Sequence, residues 1–526
     1  MAKWRALFCL AACLYPSALA ISTEQFDEEL TIRPLPDGKV ASTFRFTTLL
    51  QGATPRDPQS LGGDDVSQHY TVFPLALGQI LREYAVTELH LSLNAGKWRY
   101  DRWGLPKELG VGTGAELWAW MGDTEVTSID KRWKGLRNAL AGLFCASLGS
   151  LDDLRTTSPV QTFQPEGDLP DWDSPHDVRH ASLPSEHVCT ENLTPFLKLL
   201  PCKSRSGIAS LLNPHRLFDA DWHGMGVHVL WREKEGVEVR LTFQSVSDPL
   251  RSGSRQKQDW SLHSLFGRSI ERECPVAHSS RVLVALPQDQ SYSITPEPPL
   301  VETEWAVFDT TKINMPLNTA MTWAQNFEFP TEFNGAPLTV KRTLRGTSQA
   351  YGQLSITVQN RLSSELPVLY LETMPWLVQF YLSTLKASIG GKPHALSNLT
   401  YIPAIPHSRP TTFQMLLTIP AKSDLEIVLD VNKAFLLYAE HPPDAQRGWD
   451  LPPAILTPLV PIANHSTGQL RIYTPTLLVD LATPDFSMPY NVIIFTCSLI
   501  AFLFGNVFNL LTRKFVIIRV GSDKTT

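Results

Sequence analysis

Near the end of this 526-residue chain, positions 492–511 run for 20 residues without one charged side chain. As a helix that stretch is about 30 Å long, enough to cross the hydrocarbon core of a bilayer once. Every other segment has to be arranged around it. Arg513, Lys514 and Arg519 follow the run, while Asp485 is the nearest charge before it. Basic flanks stay cytosolic, so the tail 512–526 is expected in the cytosol and the bulk on the other side. The N-terminus agrees: Lys3 and Arg5 precede an apolar run, and Ala18-Leu19-Ala20 offers a small-residue cleavage site. Residues 1–20 therefore read as a secretory signal peptide, which makes this a type I single-pass protein.

The intervening residues are numerous enough for several domains. A net charge of −6, with no cluster of Lys and Arg, excludes a nucleic-acid partner. The sequons at Asn192, Asn398 and Asn464 suit N-glycosylation in the secretory pathway.

Forty prolines and frequent period-two patterning point to strands and loops. Alternation on both sides of Pro36-Asp37-Gly38 predicts a hairpin. Leu77, Ile80, Leu81 and Tyr84 share one helical face, and Leu89, Leu91 and Leu93 then alternate as a strand. After Ser128, the series Ile129, Trp133, Leu136, Leu140 and Phe144 predicts an amphipathic helix packed on a sheet. Residues 153–184 show little periodicity and many prolines, and read as a long loop. Pro296, Pro298 and Pro299 mark a boundary between an α+β lobe, 21–295, and a membrane-proximal β-sandwich-like lobe, 300–483. A juxtamembrane segment, 484–491, leads into the helix. The fold class expected is mainly β with some α, in several luminal domains.

No arrangement whose spacing encodes catalysis is present: there is no Gly-x-Ser-x-Gly elbow, His-Glu-x-x-His helix, P-loop or dinucleotide fingerprint. His176, His180 and His187, near Cys189, suggest a zinc-dependent hydrolase, but Pro175 and Pro184 make their segment a loop, and luminal cysteines oxidise more readily than they bind metal. No metal and no cofactor is expected. His223 and His228 lie five apart on a strand and so face opposite sides. Trp98, Trp103, Trp118, Trp120 and Trp133 could stack on sugars or fill a core. A cell-surface receptor or adhesion module is the other alternative.

With Cys9 and Cys13 in the signal and Cys497 in the membrane run, the luminal thiols are Cys145, Cys189, Cys202 and Cys274. Four cysteines allow three pairings. Cys189 and Cys202 bracket a sequon, which fits a local clip, or one of them reaches another chain. Spacing does not choose.

The stretches "VCTENLTPFLKLLPC" and "PDFSMPYNVIIFTC", followed by "FNLLTRKF", resemble the PIG-T family of glycosylphosphatidylinositol (GPI) transamidase subunits. So do "ELTIRPLPDGKVASTFRF", "FPLALGQILREYAVTELHLSL", "GAELWAW", "LFCASL", "QDWSLHSLF" and "PVLYLETMPWLVQFY", in the same order along nearly the whole chain. The resemblance implies a non-catalytic scaffold subunit of the endoplasmic reticulum complex that replaces a precursor's C-terminal signal with a preassembled GPI lipid. It implies a caspase-like cysteine protease as the catalytic partner, disulfide-linked through Cys189. With Cys189 so assigned, one internal bridge is expected, between Cys202 and Cys274. The resemblance also puts Asp485, Ser487, Tyr490 and Asn491 where a GPI glycan would hang above the bilayer, although the same residues would simply seat the helix at the interface. Asn506 and Asn509, costly in lipid, are expected to face other helices of the complex.

Overall fold

The structure is a computed structural model. It describes all residues except 1–23, 66–68, 109, 253–257, 288–289, 326–334, 442–447, 460–468, 484–486, 516 and 519–526. The signal peptide, Asn464 and Asp485 therefore lie outside the described residues.

The hairpin predicted around Asp37-Gly38 forms, from β1 (Glu24–Pro34) and β2 (Val40–Gln51). Next come α1 (Leu75–Glu83), β3 (Val86–Ala95), α2 (Tyr100–Trp103), β4 (Gly114–Gly122) and α3 (Ile129–Phe144). They are followed by β5 (His176–Leu183), α4 (Thr190–Leu199), β6 (Trp222–Arg232) and β7 (Gly236–Ser247). After β8 (Trp260–Ser261) the chain makes β9 (Ser279–Ala285), β10 (Tyr292–Thr295), β11 (Leu300–Glu302), β12 (Trp305–Asp309) and β13 (Ala320–Trp323). Ten of these strands form one sheet, ordered β11-β12-β9-β1-β2-β7-β6-β3-β4-β5, antiparallel except where β9 runs parallel to β1.

Two sequence expectations are corrected here. The region read as a loop contains β5, the edge strand of this sheet, because each of its faces mixes polar with apolar residues, Val178, His180 and Ser182 on one and Arg179, Ala181 and Leu183 on the other, which hides a period of two. The prolines at 296–299 do not end the first lobe either: β11 and β12 rejoin the ten-stranded sheet, and β10 and β13 pair in a three-stranded sheet with β8.

One face of the large sheet is the core. Phe308, Val282, Leu30, Phe44, Phe243, Met225, Leu93, Ala115 and Leu183 follow one another as cross-strand neighbours, all buried. The sequence-predicted helix α3 supplies Trp133, Leu136, Leu140 and Phe144 to the same cluster. Glu28 stands among these apolar side chains, 2% exposed, accepting hydrogen bonds from Ser280 Oγ at 2.6 Å and from the Ile208 amide at 3.0 Å. It abuts the Cys202–Cys274 bridge: a Cβ at Gly207, whose φ is +68°, would lie 2.4 Å from Glu28 Oε1 and 2.7 Å from Cys274 Cβ.

The opposite face is polar yet also covered. A second row of cross-strand neighbours reads Thr47, Arg240, His228, His90, Trp118, His180. His90 stacks on Trp118 with centroids 3.8 Å apart, and its Nδ1 and Nε2 lie 2.9 Å from His228 Nδ1 and from Glu88 Oε1. Glu88 also accepts from the amides of Glu166 and Gly167. Over this row lies Arg471, 3% exposed, paired with Glu166 at 3.0 Å and resting on the rings of Trp118 and Phe163. Trp118, buried and engaged by both His90 and Arg471, and Trp133, buried in the core, leave no ring face open for a sugar.

Beyond residue 337, two antiparallel sheets alternate apolar and polar residues as the sequence predicts. One holds Leu338–Arg345, Tyr351–Asn360 and Asp424–Lys433, and the other Leu366–Met374, Thr411–Ile419 and Ile455–Pro458. Arg342 of the first pairs with Glu372 of the second, both side chains 0% exposed, and the Tyr370 hydroxyl donates to the same carboxylate. The chain is mainly β with some α. Separately, the helix Ser487–Thr512 contains a span, Tyr490–Thr512, of mean hydropathy 2.0, long and apolar enough to cross a membrane.

Candidate functional site: an exposed thiol at a helix junction

Helix α3 begins at Ser128, whose Oγ accepts from the Lys131 amide at 3.4 Å, and ends at Cys145 in a left-handed conformation, φ 51°. Such a residue closes a helix by returning its amide to the last turn, here to Ala141. Helix α4 starts at Cys189, the capping residue. Asn192, one turn on, connects the two helices. Its Oδ1 accepts from the Cys189 amide at 2.8 Å, while Nδ2 donates to the carbonyl oxygens of Phe144 at 2.9 Å and Cys145 at 3.1 Å. One buried carboxamide therefore satisfies orphan backbone groups at the end of α3 and the start of α4. Cys145 and Cys189, on either side of it, are both exposed free thiols.

This geometry corrects the expectation of a glycan on Asn192. The side chain is 1% exposed and its amide nitrogen is committed to two carbonyls, so a glycan there would require both helix ends to come apart. Asn398 differs: it is exposed, at φ 49° beside a strand irregularity between Ser397 and Thr400.

Cys202, just past α4, is bonded to Cys274, with Cα atoms 5.9 Å apart across 72 residues of sequence. The local Cys189–Cys202 clip, open in the sequence, is therefore not made. The histidine cluster is dispersed. His180 Nε2 lies 3.0 Å from Glu116 Oε1 with its ring on Phe163, His176 stacks on Trp172, and His187 is exposed. Among the described residues no group of three His, Cys, Asp or Glu is placed to hold a metal. His223 and His228 do face opposite sides: His223 Nε2 meets the Val188 carbonyl at 3.4 Å on the core side, and His228 meets His90 on the polar side.

Near the membrane helix, Tyr490 is 58% exposed and Asn491 is exposed, while Ser487 opens the helix. Asn506 Nδ2 donates to the Phe502 carbonyl at 3.0 Å, so one amide hydrogen is met within its own helix. The residues that sequence reasoning missed are His90, Arg240 and Arg471. They join only through cross-strand register, which leaves no motif along the chain.

A family model described as the Gpi16 subunit, a GPI transamidase component, matches residues 8–256 and 244–525. The chain belongs to the Gpi16 family. The human GPI-anchor transamidase component PIGT is 37% identical over 536 residues, covering 93% of this chain and 90% of that protein. The GPI transamidase component PIG-T homolog of Schizosaccharomyces pombe is 33% identical, covering 97% and 94%. The component GPI16 of Saccharomyces cerevisiae is 30% identical, covering 95% and 90%. The Gpi16 match takes in the α3–α4 junction, both sheet regions and the membrane helix.

Proposed function

We propose that this Gpi16-family chain is a non-catalytic scaffold subunit of a GPI transamidase, held by its C-terminal helix in the endoplasmic reticulum membrane with its bulk in the lumen. Cys189 forms a disulfide with a caspase-like catalytic subunit, and the juxtamembrane residues Asp485, Ser487, Tyr490 and Asn491 lie beside the GPI lipid as it meets the precursor's C-terminal signal. The observation that carries the covalent link is the state of the thiols: Cys202 is already bonded to Cys274, whereas Cys189 is exposed and fixed at a helix start by Asn192. A scaffold role accords with the absence of a catalytic spacing motif in the sequence.

The test is electrophoresis of the membrane-extracted protein with and without reductant, for the wild type, Cys189→Ser and Cys145→Ser. A reductant-sensitive heavier band that is lost only in Cys189→Ser, and that contains a cysteine protease, is the expected result. Migration as a monomer in every lane would remove the intermolecular bridge.

A further inference from the structure

Among the described residues before position 484, the two most exposed large apolar side chains are Phe435, at 75%, and Leu437, at 67%. They stand in the run Ala434-Phe435-Leu436-Leu437-Tyr438-Ala439, which carries no charge. The backbone that presents them is ordered. Leu436, between them, is 1% exposed, Glu440 Oε2 accepts from the Leu437 amide at 2.7 Å, and the Glu440 amide donates to the Leu437 carbonyl at 3.0 Å. A single exposed leucine is ordinary, but a phenyl ring and a leucine held outward side by side by a fixed turn leave apolar surface in water with nothing to offset the cost. Their place in the chain's architecture says what covers them. Phe435–Trp449 and Asp480–Thr526 form one compact unit, and the second of these segments contains the membrane span Tyr490–Thr512. The apolar pair is thus continuous with surface already committed to lipid.

We infer that Phe435 and Leu437 insert into the luminal leaflet of the bilayer, as a second membrane contact beside the helix. Two side chains fall far short of the roughly 800 Å² that each partner gives to a stable protein interface. Lipid asks for no complementary pocket, and exposed aromatic and aliphatic side chains settle at the boundary between headgroups and acyl chains. Glu440, bonded to the Leu437 backbone, then marks the polar level of that boundary. One helix alone leaves a chain free to turn about the helix axis, and an anchor away from that axis restrains the turn. The inference rests on the membrane span and not on the role of Cys189.

The experiment uses the full wild-type chain in phosphatidylcholine nanodiscs. Part of the lipid carries a photoactivatable diazirine high on one acyl chain, and labelled residues are read by mass spectrometry. Hydroxyl-radical footprinting of the same discs reports which side chains water reaches. Phe435 and Leu437 should take the lipid label, as the span Tyr490–Thr512 does, and should be oxidised several-fold less, after correction for intrinsic reactivity, than Tyr351, which is 62% exposed. In Phe435→Ser/Leu437→Ser this segment should lose its label while the span keeps it. Phe435 and Leu437 unlabelled and oxidised as readily as Tyr351 would overturn the inference. Both residues unlabelled yet protected from oxidation would show that protein covers them, a second copy of this chain or another subunit, and would overturn the assignment to lipid.

Discussion

Asn192 Nδ2 donates to the carbonyl oxygen of Phe144 at 2.9 Å, across 48 residues of sequence, from a side chain that is 1% exposed. A perfect glycosylation triplet is thereby turned into a structural tie between two helices. Glycopeptide mass spectrometry of the secretory-pathway protein should find Asn398 occupied and Asn192 bare. Asn192→Ala should lower stability by about 2 kcal/mol, through a lost cap and carbonyls left without a donor, read as a fall in melting temperature.

Removing the Cys202–Cys274 bridge frees a loop of 72 residues in the unfolded chain. The chain-entropy relation puts the loss at about 4 kcal/mol. Cys202→Ser/Cys274→Ser should melt markedly lower than the wild type, while Cys145→Ser, which breaks no bond, should melt close to it.

Glu28 carries a pH dependence. Burial in the core is the largest influence on its carboxyl and raises it from 4.5 to about 7. Because the folded value lies above the unfolded one, the folded state holds the extra proton between these limits, and stability falls as pH rises from 4.5 through 7. The full effect is on the order of 3 kcal/mol. Melting curves at pH 5.5 and 7.5 should show the wild type losing more stability than Glu28→Gln, which cannot ionise; parallel losses would refute the assignment.

The Arg342–Glu372 pair is wholly buried between two sheets. Burial is the largest influence on Glu372 and raises its carboxyl, against the opposing charge of Arg342. Arg342→Met should cost about 3–5 kcal/mol because it strands the acid. The double variant Arg342→Met/Glu372→Leu should recover much of that loss, measured by thermal or urea unfolding.

Much of the fold is legible along the chain. The hairpin β1–β2, the helix α3 with its Ser128 cap and the membrane span each rest on neighbours a few residues apart, where period and turn chemistry act directly. Strand β5 was not legible, since a half-polar edge strand between prolines has the composition of a loop. The site residues divide in the same way. Cys189 stands out as part of a quoted stretch, but whether it is free depends on Cys274, 85 positions away by sequence number.

The sequence by itself determined where the chain meets the membrane, its mainly β character and the absence of a catalytic spacing motif, because these follow from local hydropathy, alternation and spacing. Only the tertiary structure decided which cysteines pair, that Asn192 is buried, and that Arg240, His228, His90 and Trp118 line up across four strands. The physical reason is register: hydrogen-bonded strands bring together residues far apart in the chain, and no local pattern encodes which residue lies opposite which.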